Sequence, residues 1–263
     1  MNLRKLAAAL TVPALALALA ACGGGDEGGT SPSGAKLVKA DTLTICTHLP
    51  YKPFEFNEGG EVVGFDIDVL KIAADAEKLE TEVVNIGWET IVSGEALNSG
   101  KCDVAAGAMT ITEEREKVMD FTEPYFEATQ ALMVKKGAGY ASLDDFAGKT
   151  VAVQEATTGA DYVKANAPKD TKIITLEDSA LMMQAVKSGK ADAGVNDNGL
   201  LYDFVKSNPD MEITSEFQTG EAYGFTVKKG GNDELLEVLN KGINDKAAYD
   251  KVYKKWFGEA AAQ

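Results

Sequence analysis

Four short segments of the 263-residue chain place polar chemistry directly after apolar runs: residues 48–51, 107–110, 154–158 and 196–197. In the second, AGAMTITEER leaves an apolar run through a turn and enters a short helix. Its early acids, Glu113 and Glu114, suit the positive end of that helix, which brings Arg115 close to the same turn. A guanidinium offers a planar fork that grips a carboxylate through two parallel hydrogen bonds, a geometry that lysine lacks. In the third segment, QEATTGADYV reads as a strand running into a helix capped by Thr158, with Asp161 three residues later as a variant capping box. The free N–H groups of such a helix end hold anions. The fourth supplies Asp197, a carboxylate suited to an ammonium group. An arginine and a helix end for a carboxylate, with an aspartate for an amine, match the zwitterion of an α-amino acid. Each residue also has a plainer reading: Arg115 in a surface ion pair, Thr158 as a cap only, Asp197 as the cap of the helix that follows it. Their common position after strand ends favours the joint reading.

Those positions depend on the elements that carry them. Strand patterns alternate with helix patterns along most of the chain, with strands predicted at residues 43–46, 82–86, 104–108, 151–153, 172–175 and 191–195. A helix is predicted from Asp66, its natural N-cap, because Ile67, Leu70, Ala73 and Ala74 recur on one face. Such alternation implies an α/β chain with parallel sheets covered on both sides, and sheets of that kind bind ligands beyond the carboxyl ends of their strands. Two segments look like copies of one unit. EALNSGKCDVAAGAM and QAVKSGKADAGVNDN each run a helix into SGKxD and then into a small-residue strand, with a glycine ending each helix. They imply two related α/β lobes.

The amino terminus carries Arg4 and Lys5, then an apolar run from Leu6 to Ala21 ending in LAAC at Cys22. It reads as a signal peptide over residues 1–21, and LALAAC resembles a lipobox, which makes Cys22 the acylated residue of a bacterial lipoprotein. Residues 22–40, beginning with GGGDEGGTSPSGAK after the cysteine, have almost nothing to bury and are expected to form a flexible tether. Cys46 and Cys102 remain as an even pair in an oxidising compartment, for which a disulfide is the simple reading and two buried thiols the other. Loss of Arg4 and Lys5 with the leader lowers a net charge of -15 further, so nucleic acid and anionic lipid are poor partners.

Six segments, YKPFEF at Tyr51, VGFDIDV at Val63, GAMTITEER at Gly107, DFTEPYF at Asp120, VAVQEATTG at Val151 and YDKVYKKWFG at Tyr249, stand in the order found in one family. Over residues 43–258 the chain resembles the polar amino-acid solute-binding proteins of bacterial ABC importers, solute-binding protein family 3, with the type II periplasmic binding protein fold. The resemblance implies two Rossmann-like α/β lobes joined by two crossover segments near residues 125–130 and 221–225. It divides the chain into lobe 1, residues 41–127 plus 225–263, and lobe 2, residues 128–224. It implies that Arg115, Thr110 and Thr158 hold the ligand carboxylate, and that Asp197, Gly107 and Thr110 hold its amine. Tyr51 and Trp88 match the aromatic positions that sandwich the ligand. His48, Gln154 and Asn196 match the positions that set specificity. Where His48 stands, relatives carry an aspartate, and its loss removes a partner for a basic ligand. A neutral histidine with two amides suits glutamine or asparagine, whereas a protonated one would suit glutamate.

The resulting expectation is a monomeric, lipid-anchored protein outside the cytoplasm. It binds a free polar amino acid between its lobes and delivers it to an ABC transporter permease, with no cofactor, metal or nucleic acid. The alternative is an exported amino-acid dehydratase or lyase on the same fold. With one histidine in the chain, a Ser-His-Asp triad could only be built on His48.

Overall fold

The structure, a computed structural model, describes residues 28–258, so the leader and Cys22 lie outside the described residues. Strands β1 (Gly29–Thr30) and β2 (Lys36–Leu37) form a small antiparallel ribbon, followed by β3 (Thr42–Thr47), β4 (Phe56–Glu58), β5 (Glu61–Val63) and helix α1 (Phe65–Ala76). Next come β6 (Glu80–Asn85), the short helices α2 (Trp88–Val92) and α3 (Glu95–Asn98), β7 (Val104–Ala105), α4 (Glu113–Glu116) and β8 (Met119–Phe121). The long β9 (Phe126–Lys135) crosses to β10 (Thr150–Gln154), α5 (Thr158–Asn166), β11 (Lys172–Leu176), α6 (Ser179–Ser188), β12 (Ala193–Asp197) and α7 (Asn198–Ser207). The chain returns through β13 (Met211–Tyr223) and ends with β14 (Thr226–Lys228), α8 (Asp233–Asn244) and α9 (Lys246–Phe257).

Two mixed sheets result, ordered β6-β3-β7-β14-β8 and β11-β10-β12-β9-β13. Each has three parallel strands standing in the order second, first, third, followed by an antiparallel neighbour. The twin SGKxD segments hold the same place in both sheets, at the approach to the third parallel strand. Gly100 and Gly189 there have φ of 69° and 80°, a left-handed conformation that ends the preceding helix and that glycine adopts without Cβ strain. All six predicted strands are present; the third is shorter than expected, pairing only over Val104–Ala105 before the chain turns at Ala108.

Between the sheets β9 and β13 run side by side, with Tyr223 opposite Phe126. Two further backbone bonds, Tyr125 N–H to Tyr223 O and Thr122 N–H to Phe225 O, extend the pairing, both at 2.9 Å. On α9 the aromatics Tyr249, Tyr253, Trp256 and Phe257 share one stripe. Phe257 meets Phe65 edge-on at 5.1 Å and Phe126 at 5.2 Å, while the Trp256 indole N–H donates to Asp68 of α1 at 2.7 Å. The carboxyl-terminal helices therefore pack on the amino-terminal half and brace the crossing strands.

Two expectations need correction. Asp66 is not the cap of α1: Gly64 holds the N-cap position, and the buried Asp66 carboxylate instead accepts from the Ala108 N–H at 2.9 Å. Residues 28–40, expected to be part of a free tether, are packed on the body. Ala35 and Leu37 are buried, Ser33 N–H donates to Glu77 at 2.9 Å, and Lys36 exchanges backbone bonds with the Asn232 side chain at 3.1 and 2.7 Å. Two apolar residues among polar neighbours suffice here because Glu77, Asn232 and Asp103 receive the strap's backbone groups.

Cys46 and Cys102 form a disulfide, with their Cα atoms 5.7 Å apart. It lies in a buried cluster with Trp88, Ile91, Leu97, Met109 and Met119.

Candidate functional site

The carboxyl ends of the two sheets face one another, and the turns there line a narrow cleft whose free volume is only about 20 Å³. All ten residues expected at the cleft line it: His48, Tyr51, Trp88, Gly107, Thr110, Arg115, Gln154, Thr158, Asn196 and Asp197. Glu55, Ala108 and Thr157 line it as well.

One wall comes from the turn after β7 and from α4. Thr112 caps α4, its hydroxyl accepting from the Arg115 N–H at 3.3 Å, and this fixes where the Arg115 side chain starts. The guanidinium donates to the Thr110 carbonyl at 2.8 Å and, across the cleft, to the Ala156 carbonyl at 3.2 Å. It lies 5.6 Å above the Trp88 ring, whose N–H also reaches Ala156 O at 3.1 Å. Burial lowers the Arg115 pKa, while the charges of Asp197 and Glu221 act in the opposite direction. Gly107 is required by packing: a Cβ there would sit 2.9 Å from the Trp88 ring.

The opposite wall is built from the ends of β10 and β12. Thr157, not Thr158, caps α5, accepting from Ala160 N–H at 3.1 Å. Asp161 is exposed and pairs with Lys164 at 3.4 Å, so the predicted capping box does not form. The one-residue shift frees the Thr158 hydroxyl, which donates to Glu221 at 2.9 Å and receives the Gln130 amide at 3.3 Å. Asp197 occupies the N-cap position of α7 without making a cap bond. Its carboxylate instead accepts from Tyr223 at 2.6 Å, from Tyr51 at 2.9 Å and from Gln130. Burial first, and then the nearby Glu221, push this carboxyl up to about 6, against the three donors. Tyr51 reaches it from the other wall and also lies 2.8 Å from Asn196 Oδ1. The specificity positions are joined too, the Asn196 amide donating to Gln154 at 3.3 Å.

Sequence reasoning missed Glu55, Gln130, Glu221 and Tyr223. Gln130 and Tyr223 are fully buried on the crossing strands, and Glu221 accepts from Thr110 on one wall at 3.0 Å and Thr158 on the other. The signal available was Gln130 beside the apolar run of β9; β13 is polar along most of its length, so Glu221 does not stand out there, and Glu55 lies in a turn. Among the described residues no cluster of His, Cys, Asp or Glu could hold a metal ion. Chemically, the cleft offers a cationic fork with a helix amino terminus at one end and a buried carboxylate at the other.

Comparisons with known proteins place the chain in a family. Residues 43–259 match the family described as "Bacterial extracellular solute-binding proteins, family 3". The "ABC transporter glutamine-binding protein GlnH" of Bacillus subtilis (strain 168) is 33% identical, covering 93% of this chain and 94% of that protein. The "Probable histidine-binding protein" of Neisseria gonorrhoeae is 32% identical over 100% of this chain and 99% of its own. Among solved structures, an ancestral arginine-binding protein bound to glutamine is 43% identical with a TM-score of 0.77, covering 83% of this chain and 99% of that one. A family match over most of the chain, relatives similar from end to end and a shared two-lobed type II periplasmic binding fold lead to one statement: this chain belongs to the bacterial extracellular solute-binding proteins of family 3, which bind substrates and are not enzymes.

Proposed function

We propose that the chain is the amino-acid receptor of an ABC importer, with glutamine as preferred ligand ahead of glutamate, anchored outside the cytoplasm through an acylated Cys22. The reading is carried by the convergence of Arg115 and Asp197, from opposite walls, on one cleft. The ligand carboxylate lies on the Arg115 fork with the backbone of Thr110 and Thr158; the ammonium meets Asp197, the Thr110 hydroxyl and the Gly107 carbonyl. Tyr51 and Trp88 cover the ligand's body. Lobe 1, residues 41–127 plus 225–263, docks the ligand first, and lobe 2, residues 128–224, closes over it as a monomer. Closure excludes water and so strengthens the charged bonds.

The preference for glutamine is supported by donor and acceptor placement. His48 Nδ1 lies 2.9 Å from the Ile86 carbonyl, so that nitrogen carries a proton, and in the neutral form of the ring Nε2 is then an acceptor. The Gln154 carbonyl oxygen is engaged by Asn196, which leaves its amide to donate. An acceptor and a donor in one cleft suit a carboxamide, whereas a carboxylate offers acceptors only. The glutamine-binding relative points the same way. The dehydratase or lyase alternative has no support in the relatives described above, which are named as binding proteins.

The test is calorimetry with all common amino acids on protein unfolded and refolded to remove bound ligand. Glutamine binding tightest supports the reading, binding of arginine or histidine in its place overturns the ligand assignment, and no binding overturns the amino-acid reading. Mass spectrometry of the membrane fraction tests the anchor: Cys22 carries acyl chains, and Cys22→Ala releases the protein.

A further inference from the structure

Glu55, in the turn between Tyr51 and β4, has no role in the site as built so far. It lines the same cleft, is 1% exposed, and no N–H or hydroxyl reaches its carboxyl oxygens; its side-chain partner is the neighbouring Asp66 carboxyl, through a shared proton. Two buried carboxyls that share a proton at the edge of a ligand cleft can both ionise only when a cation faces them, and the ligand can supply one. The turn holds the residue in place: Tyr51 N–H donates to the Glu55 carbonyl at 2.7 Å, and Glu55 N–H returns to Tyr51 O at 3.1 Å. Behind it stands Asp66, one oxygen of which accepts from Ala108 N–H at 2.9 Å while the other has the Glu55 carboxyl and the Tyr125 hydroxyl as neighbours. Ala108 follows Gly107, whose carbonyl belongs to the ammonium end of the cleft.

We propose that Glu55 is a second acidic contact for the ligand's ammonium group, acting beside Asp197 with Asp66 behind it. The inference rests on the amino-acid reading above. Its consequence is proton release. Burial first, then the charge of Asp66, push the Glu55 carboxyl well up, and burial raises Asp66 itself to about 6. The pair therefore retains a proton near neutrality in the ligand-free protein. An arriving ammonium favours the ionised form, and the proton departs to solvent. The other charged or titratable groups facing this pocket are Asp197 from β12, Arg115 from α4, His48 after β3, Tyr51 on the same turn, Glu221 and Tyr223 on β13, and Tyr125 with Tyr249 behind Asp66. Burial raises all four tyrosines, so they stay neutral, and Arg115 is committed to the ligand carboxylate. Asp197, also at about 6, is the other source of a proton.

The experiment is calorimetry with L-glutamine and with L-arginine at pH 6.5, in buffers of different ionisation enthalpy, on the full refolded chain. Wild type releases protons on binding, and its affinity falls by up to about tenfold per pH unit, for one coupled proton, as pH drops through 6. Glu55→Gln releases fewer protons and has a flatter pH dependence, the remainder coming from Asp197. A wild-type readout accompanies it: with ¹³C-labelled glutamate, the Glu55 carboxyl resonance moves to its ionised position when ligand is added. An unchanged proton count in Glu55→Gln together with an unmoved Glu55 resonance overturns the role of Glu55 alone. Wild type that binds neither amino acid overturns the amino-acid reading, and this inference with it.

Discussion

At Asp197 three donors converge on one buried carboxylate, and still its pKa lies near 6, because burial and Glu221 outweigh them. In the unfolded chain the same group titrates near its ordinary value of about 3.9. The folded protein therefore holds a proton that the unfolded chain does not between those values. That contribution to stability is present below about pH 4 and is lost as pH rises through 6, amounting to about 3 kcal/mol for one such group. Ligand-free protein is expected to melt several degrees higher at pH 5 than at pH 7.5, and saturating glutamine to reduce the difference by supplying the missing ammonium; thermal unfolding at the two pH values, with and without ligand, measures both. Arg115→Ala removes one partner of a desolvated charge pair and is expected to weaken binding of every amino acid that binds wild type by about 2–5 kcal/mol, at least about 25-fold in Kd, by calorimetry. Normal binding by that variant would mean the site is misplaced. These two charged residues were legible because each stands where a strand pattern ends. Glu55 was not, since a carboxylate inside YKPFEF gives no sign from sequence that the turn buries it. Thr158 was misassigned by one position because Thr157 beside it is an equally good cap, and only the fold decides which hydroxyl turns inward.

Among the elements, the turn before α1 and the disulfide set the walls of the cleft. Gly64 has φ of 150°, and a Cβ there would lie 1.9 Å from the Phe54 carbonyl oxygen. Gly64→Ala must therefore displace backbone that positions Glu55 and Asp66 together. It is expected to lower the melting temperature by several degrees and to weaken ligand binding; a variant equal to wild type in both would refute the close approach. The Cys46–Cys102 bridge closes a loop of 56 residues, for which chain entropy gives about 4 kcal/mol. Urea unfolding of Cys46→Ala/Cys102→Ala should show a loss of about 2–4 kcal/mol. The strand and helix alternation was readable because parallel sheets covered by helices leave strong apolar periodicity. The strap of residues 28–40 was not, because its attachment uses its own backbone N–H and C=O groups against Glu77, Asn232 and Asp103, and backbone groups leave no mark on a sequence.

For the molecule as a whole, the hydrogen bonds that span the cleft, from Tyr51 to Asp197, from Arg115 and Trp88 to Ala156, and from Thr110 to Glu221, describe a closed arrangement. A ligand shifts the balance toward that arrangement only as far as it prefers it. Small-angle scattering is expected to show a smaller radius of gyration with saturating glutamine than without, and little change for Arg115→Ala at the same concentration. The two-lobed plan was legible from the repeated SGKxD segments, while the crossing strands carry buried polar residues, Gln130 and Tyr223, whose purpose shows only once both sheets are in place. If Cys22 is acylated as proposed, the docked strap also decides how the protein sits above a bilayer. With residues 28–40 fastened to the body, five residues separate an acylated Cys22 from the packed chain, and the six steps from Cys22 to Gly28 span at most about 20 Å when fully extended. A buoy on so short a mooring has little room to roll: the strap's side of the protein stays toward the lipid, and the importer meets a receptor whose heading is already set.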